Sequence, residues 1–153
     1  YSENLDKNSG YRIMFNRAFE EIENITDNQL TFKEVGYSDN EVDIKINIHR
    51  ISNSLAGLGS LQGKYYYPYH DNYVANINLY LYNQGDTEGY PLVEMHELLH
   101  TLGLDHVQNT LMEPKGEMHK QLSYDKTLTE MLKEEWDLPY IKYKTSSGKW
   151  ETF

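Results

Sequence analysis

The chain has 153 residues, which is enough for one domain with a sizeable hydrophobic core, and its formal net charge is −10. This charge argues against nucleic acid as a partner, and the sequence contains no apolar run of about 18 residues that could span a membrane. Cysteine is absent, which excludes a disulfide framework and thiolate metal ligands.

The first predicted element is a helix. After a polar leader at residues 1–9, residues 11–25 place apolar side chains at helical spacing. The same stretch carries an acidic run of Glu20, Glu21 and Glu23, which we interpret as the solvated face of the helix.

Strand patterns follow the helix. Residues 30–35 and 42–48 alternate apolar and polar side chains, which predicts two strands joined by a polar turn at 36–40. Residues 51–72 hold four tyrosines and three glycines and predict a long loop. The alternation returns at residues 74–82, which predicts a third strand.

A second helix, opened by a proline that suits a first helical turn, is predicted to run to about residue 102. His96 and His100 are four residues apart, so their rings lie one turn apart on one helix face and can bind one Zn²⁺. Glu97 follows the first histidine and is placed to contact a water on the metal rather than the metal itself.

Two features extend this motif. Gly103 can adopt the left-handed conformation that ends a helix, so that His106 turns back as a third ligand and leaves a fourth position for water. Met112 comes six residues later, where a methionine turn lies beneath some three-histidine zinc sites. The alternatives are a coincidental core helix and an ordinary core methionine.

These residues resemble the metzincin zinc peptidases. The sequence from Leu111 to Pro114, Leu-Met-Glu-Pro, is most similar to the matrixin subgroup, whose turn reads Leu-Met-Tyr-Pro. The chain departs from that pattern at Glu113, and at Val107, where matrixins commonly have serine. The resemblance implies an α+β, metzincin-like zincin fold. Its mixed twisted sheet is accompanied by an amino-terminal helix, an active-site helix and a carboxy-terminal helix.

The resemblance also implies a function. One catalytic Zn²⁺ would be held by His96, His100 and His106, with Glu97 as the general base of a secreted or extracellular endopeptidase that acts on proteins or peptides. We expect a monomer, and Ca²⁺ is permitted although no clear motif supports it. Two alternatives stay open: a non-catalytic zinc-containing domain that binds peptides or glycans, and a hydrolase of a non-protein amide.

By the same resemblance, the strand at 74–82 would be the sheet edge over the substrate cleft. The residues that we expect in this cleft are Asn76, Asn78, Tyr80, Glu113 and Pro114. Residues 114–122 would wall the pocket for the side chain that follows the cleaved bond, and their Met118 favours an apolar side chain there.

The same resemblance implies a last helix at about 124–135, which would complete a catalytic domain at residues 1–136. The remaining residues, 137–153, form an appendage with two alternating stretches about a Ser-Ser-Gly turn, which indicates a hairpin. The alternative is a linker to a further domain. The richness of this stretch in aromatic residues favours order.

Overall fold

The computed structural model describes residues 1, 10–38, 42–49, 58–62, 74–80, 89–114 and 120–153. The elements, in chain order, are α1 (Gly10–Ile25), β1 (Ile44–His49), β2 (Leu58–Gln62), β3 (Val74–Tyr80), α2 (Leu92–Thr101), a 3₁₀ turn (Leu122–Tyr124), α3 (Lys126–Glu135), β4 (Lys142–Lys144) and β5 (Trp150–Thr152). The predicted α+β architecture is confirmed, with three helices and a mixed sheet.

The larger sheet has the order β1–β3–β2, in which β1 runs parallel and β2 antiparallel to β3. Ile46 and Ile77 are partners in the parallel pair and are both buried. The prediction that the third strand is a sheet edge is therefore wrong, because β3 has a strand partner on each side. Strand β2 lies inside the predicted loop at 51–72, where glycines at its flanks and centre obscure the pattern.

The segment at residues 30–35 was predicted as a strand and has no strand partner in the part of the chain that the structure describes. It is held to α1 by side chains. The ring of Phe32 packs against Phe19 at 4.6 Å between centroids, and Glu34 forms an ion pair with Arg12. Among the described residues, packing on α1 therefore accounts for its alternating pattern.

Helix α1 buries its apolar face in the core. Its fully buried side chains are Phe15, Ala18, Ile22 and Ile25. The helix ends where Asp27 and Asn28 both adopt left-handed conformations with φ of 52° and 59°. The N–H of Asn28 closes the turn by donating to the carbonyl of Glu23 at 2.8 Å.

The acidic run of α1 is not simply a solvated face. Glu20 is exposed, but Glu21 is half-buried and accepts hydrogen bonds from the backbone N–H and hydroxyl of Ser123 at 2.9 and 2.8 Å. Tyr90 joins the same group because its hydroxyl accepts from the N–H of Leu122 at 3.0 Å. Glu21 therefore connects α1 to the 3₁₀ turn, a contact between distant parts of the chain that local pattern does not reveal.

The carboxy-terminal part begins at a capped helix. Asp125 caps α3 by accepting from the N–H of Leu128 at 3.0 Å. Strands β4 and β5 then form the antiparallel hairpin that the alternation indicated. Ile141, just before β4, is fully buried in the core, and the backbone of Tyr140 accepts from Gln29 at 2.9 Å.

The core lies between the three helices, the larger sheet, which contributes Ile46 and Ile77, and the inner face of the hairpin. Its largest fully buried side chains on α2 and α3 are Met95, Leu98, Leu99 and Leu128. Among the helices that the structure describes, none is long and apolar enough to cross a bilayer.

Candidate metal centre

Helix α2 holds two of the predicted ligands rigidly. Met95, Leu98 and Leu99 are fully buried, so the apolar side of the helix is fixed in the core. His96 and Glu97 are 9% and 7% exposed, which places polar groups at the boundary between the core and an open surface. Packing therefore sets the direction in which the His96 and His100 side chains leave the helix.

Gly103 turns the chain back toward the helix that precedes it. It adopts the positive φ expected from the sequence, 99°, and its N–H donates to the carbonyl of His100 at 3.0 Å. The N–H of Leu104 donates to Leu99 at 3.0 Å, which gives the paired hydrogen bonds of a glycine-terminated helix. The following residues can then return His106 to the helix face.

The three predicted histidines meet. Their ring centroids are 4.8 Å apart for His96 and His100, 4.7 Å for His100 and His106, and 5.4 Å for His96 and His106. One ring nitrogen from each histidine lies within 4.8 Å of the other two, so that all three could hold one metal ion. His96 is buried, His100 half-buried and His106 exposed, so the cluster opens to solvent on one side.

Backbone carbonyls orient two of the rings. Nδ1 of His96 lies 2.8 Å from the carbonyl oxygen of Leu111, and Nδ1 of His100 lies 2.8 Å from that of Leu104. A carbonyl oxygen only accepts, so each Nδ1 must be the protonated nitrogen and donate. In the neutral imidazole, Nε2 then presents its lone pair to the centre of the cluster, which is the state that a metal ligand requires.

The spacing of these nitrogens fits a zinc ion. Nε2 of His96 and Nε2 of His100 are 3.2 Å apart. Two ligands at about 2.0–2.1 Å from a tetrahedral zinc would be about 3.3 Å apart. With no proton between them, the two lone pairs repel each other, and a cation placed between them removes that repulsion. The donor set therefore suits Zn²⁺, which accepts imidazole nitrogen and tetrahedral geometry.

The pKa of His100 favours the same state. Burial is the main cause that lowers this pKa below its ordinary value, and the neighbouring His96 and His106 act in the same direction. The hydrogen bond to Leu104 opposes the shift. The neutral, ligating form of His100 therefore persists to lower pH than it would in an exposed histidine.

A compact turn around Met112 supports the first ligand. The N–H of Met112 donates to the Thr110 hydroxyl at 3.0 Å, and that hydroxyl donates to the carbonyl of Val107 at 2.7 Å. Asn109 allows the turn because its φ is 62°, a left-handed value that asparagine tolerates. Met112 is fully buried, and the carbonyl that orients His96 belongs to its neighbour, Leu111.

The expected cleft residues are only partly placed. Asn76, Asn78 and Tyr80 lie in β3, and the placement of their side chains falls outside the described residues. Glu113 is half-buried and its N–H donates to the carbonyl of Thr110 at 3.0 Å, while Pro114 is exposed. Most of the expected pocket wall, residues 115–119 with Met118, also lies outside the described part.

Sequence reasoning missed the two residues that orient the ligands, Leu104 and Leu111. Both act through backbone carbonyls, so their side chains carry no signal for this role. The nearest indications in the sequence are the turn formers beside them, Gly103 and Asn109, which allow the chain to bring a carbonyl back to a ring nitrogen.

The family model of the matrixins matches residues 1–130. Comparisons with curated proteins and with solved structures give no significant match.

Proposed function

The chain belongs to the matrixin family of zinc metallopeptidases, and from this membership we propose that it is a zinc-dependent endopeptidase. The observation that carries the proposal is the convergence of three imidazoles on one point, with two Nδ1 atoms anchored on backbone carbonyls. This arrangement supports a single catalytic ion held by His96, His100 and His106. We also propose the turn around Met112 as the methionine turn of the family.

Three ligands leave one side of the site open, which is the arrangement of catalytic rather than structural zinc. Bound zinc supplies a Lewis acid that polarises the scissile carbonyl and lowers the pKa of a water molecule. The exposed position of His106 leaves that side accessible to a peptide.

Glu97 is proposed as the general base. It directly follows His96 on α2 and is 7% exposed, so little water surrounds its carboxylate, and we propose that this carboxylate reaches the edge of the metal site. There it takes a proton from the attacking water and returns it to the leaving amine. A carboxylate can perform both steps because it regains its charge when the amine leaves.

The substrate cleft remains a proposal. Because β3 has strand partners on each side, Asn76, Asn78 and Tyr80 can reach a substrate only through their side chains. Glu113 and Pro114 follow the turn directly and are proposed for the side of the cleft after the cut. Matrixins are typically secreted, and we propose the same for this protein, acting as a monomer.

Zinc content and proteolysis, measured together, test the proposal. The native chain should contain one zinc per molecule and should digest casein or gelatin until a chelator is added. Glu97→Gln should keep the zinc and lose at least ~100-fold in activity, the low end of acid–base contributions. His106→Ala should instead lose zinc readily to mild chelation, because only two ligands remain.

The same measurements separate the alternatives. A chain that holds zinc but cleaves no protein would be a binding domain or would act on a different amide. Full proteolysis by Glu97→Gln would remove Glu97 from the mechanism, and unchanged zinc retention in His106→Ala would assign the third ligand to another residue.

A further inference from the structure

Lysines and aromatic rings meet on the carboxy-terminal hairpin, away from the proposed zinc ligands along the chain. The ammonium groups of Lys142 and Lys144 lie 5.2 and 4.9 Å from the centre of the Trp150 ring. Lys144 also lies 5.5 Å from the ring of Tyr124. Trp150 and Tyr124 are 36% and 38% exposed, and they are two of the three large hydrophobic side chains exposed in the described ranges.

These groups share the outward face of the hairpin. Lys142 pairs with Thr152 and Lys144 with Trp150, and cross-strand partners project to the same side of a sheet. Ile141 directly precedes Lys142, so its side chain projects to the opposite face, and it is fully buried. The opposite face therefore packs on the body of the protein. The ammonium groups of Lys142 and Lys144, which we call the lysine heads, therefore extend over the outer face from β4 toward β5.

The outer edge of β5 carries unpaired backbone groups. Ile141 and Phe153 exchange both hydrogen bonds at 3.0 Å, and Thr145 donates to Lys149 at 2.9 Å. In an antiparallel ladder, residues whose N–H and C=O groups bond to the partner strand alternate with residues whose N–H and C=O groups point away from it. The N–H and C=O groups of Trp150 and Thr152 therefore point away from β4. No third strand covers them within residues 120–153, and all of β5 is exposed.

We infer that this edge, Trp150 and Thr152 with the heads of Lys142 and Lys144, binds an extended acidic segment of a polypeptide substrate. The inference rests on the proposed endopeptidase function and supplies a substrate site outside the catalytic centre. An added strand would bond to the outward backbone groups. Its alternate side chains, about 6.7 Å apart, match the spacing of Lys142 and Lys144 along β4.

Charge supports an acidic occupant. The molecule as a whole carries −10, so an acidic segment is repelled by most of the chain and is attracted where lysines gather. Two acids lie close to these groups. Asp27 is 4.0 Å from Lys142, and Glu151 projects to the opposite face, where it accepts from Tyr143 at 2.7 Å. Lys144 forms no ion pair among the residues that the structure describes, and it contributes most to the attraction.

The rings favour a peptide over a membrane or a polysaccharide. Ammonium groups lie over the Trp150 and Tyr124 rings, so these rings hold the lysine heads in place rather than offering open faces. Fixing the heads beforehand reduces the entropy lost when a carboxylate binds. An unpaired strand edge adds backbone recognition, which neither a lipid surface nor a polysaccharide can use.

Binding can be measured without cleavage in the full chain carrying Glu97→Gln. The probe is a labelled peptide in which glutamate alternates with threonine, and the control peptide has glutamine at each glutamate. We expect fluorescence anisotropy to show binding of the acidic probe only. Lys142→Gln with Lys144→Gln should raise its Kd at least ~5-fold, whereas Lys33→Gln with Lys45→Gln, two lysines outside the hairpin and the proposed cleft, should leave Kd unchanged.

Thr152→Pro tests the backbone part. Proline removes the outward N–H but no hydrogen bond of the β4–β5 ladder, since Thr152 is not in a hydrogen-bonded pair. Kd should rise at least ~2-fold while the melting temperature stays close to the native value. If Thr152→Pro binds normally although the lysine variant does not, the surface attracts charge without adding a strand, and the inference fails.

Further outcomes are also decisive. Dextran sulfate that binds as tightly as the peptide, in the native and Thr152→Pro chains alike, would replace the peptide by a polysaccharide. The second experiment uses the active chain, without Glu97→Gln, and a substrate that is joined to the acidic segment. Introducing Lys142→Gln with Lys144→Gln should raise the KM for this substrate and leave kcat unchanged. Binding without any proteolysis would overturn the proposed function alone, and proteolysis without peptide binding would overturn this inference alone.

Discussion

At the scale of single residues, Gly103 controls whether the third histidine can join the other two. Its φ of 99° lies in a region that L-residues rarely adopt, and it lies directly after the helix that holds His96 and His100. A Cβ built on Gly103 would come within 2.5 Å of Oε1 and 2.9 Å of Cγ of Glu135. The contact is with the end of a flexible side chain that can move aside, so backbone strain is the main obstacle to a larger residue.

Gly103→Ala should destabilise the protein by about 1–2 kcal/mol, the cost of a Cβ in a left-handed conformation. The melting temperature should fall by roughly 2–8 °C for a chain of this length. Adding Glu135→Ala removes the clash but not the strain, so this double variant should recover little of the loss. Full recovery in a thermal melt would show that the clash alone makes glycine necessary.

The lowered pKa of His100 predicts a pH dependence of stability in the metal-free protein. Because the folded-state pKa is below the unfolded value of about 6.5, the unfolded chain binds more protons as the pH falls. The stabilising contribution is present above that value and is lost as pH falls through the folded-state pKa. Melting temperatures from about pH 8 to pH 5 should decline less steeply in His100→Gln than in the native chain; equal slopes would contradict the assignment.

At the scale of elements, local pattern was enough for the helices and for the hairpin. The ligand spacing on α2 and the turn at Gly103 depend on residues only a few positions apart, so both can be predicted from the local sequence. The central position of β3 and the role of residues 30–35 depend on which distant segment lies alongside. Alternation reports that one face is covered, but not whether a strand or a helix covers it.

Glu21 is the clearest example of such a distant contact, and Glu20 beside it is a matched control. Glu21→Ala removes the acceptor for the N–H and hydroxyl of Ser123, and it should reduce the free energy of unfolding by about 1.5–3 kcal/mol. Glu20→Ala, at an exposed position of the same helix, should change it by less than about 0.5 kcal/mol. Chemical denaturation compares the two variants, and equal effects would mean that Glu21 behaves as a surface residue.

At the scale of the whole molecule, the carboxy-terminal hairpin belongs to the folded body although it lies beyond the residues that the family model matches. Ile141 is fully buried, Leu138 is 9% exposed, and Phe153 packs against the core. The indole N–H of Trp136 donates to the carbonyl of Leu102 at 2.8 Å, beside the turn at Gly103. The division into a catalytic domain at residues 1–136 and an appendage at 137–153 stays a prediction. It implies that the first part folds without the second, and deletion of the appendage tests this.

Deletion of residues 139–153 should lower stability without removing the metal. It uncovers the core around Ile141, and the loss of one such buried side chain alone costs about 2–5 kcal/mol, or roughly 4–20 °C in melting temperature. The zinc ligands and the turn at Met112 stay in the shortened chain, so zinc content should remain one per molecule. Trp150→Ala, on the outward face, is the control and should melt near the native temperature. An unchanged melting temperature after deletion, with amides of residues 139–153 exchanging at random-coil rates in the full chain, would identify this stretch as a linker.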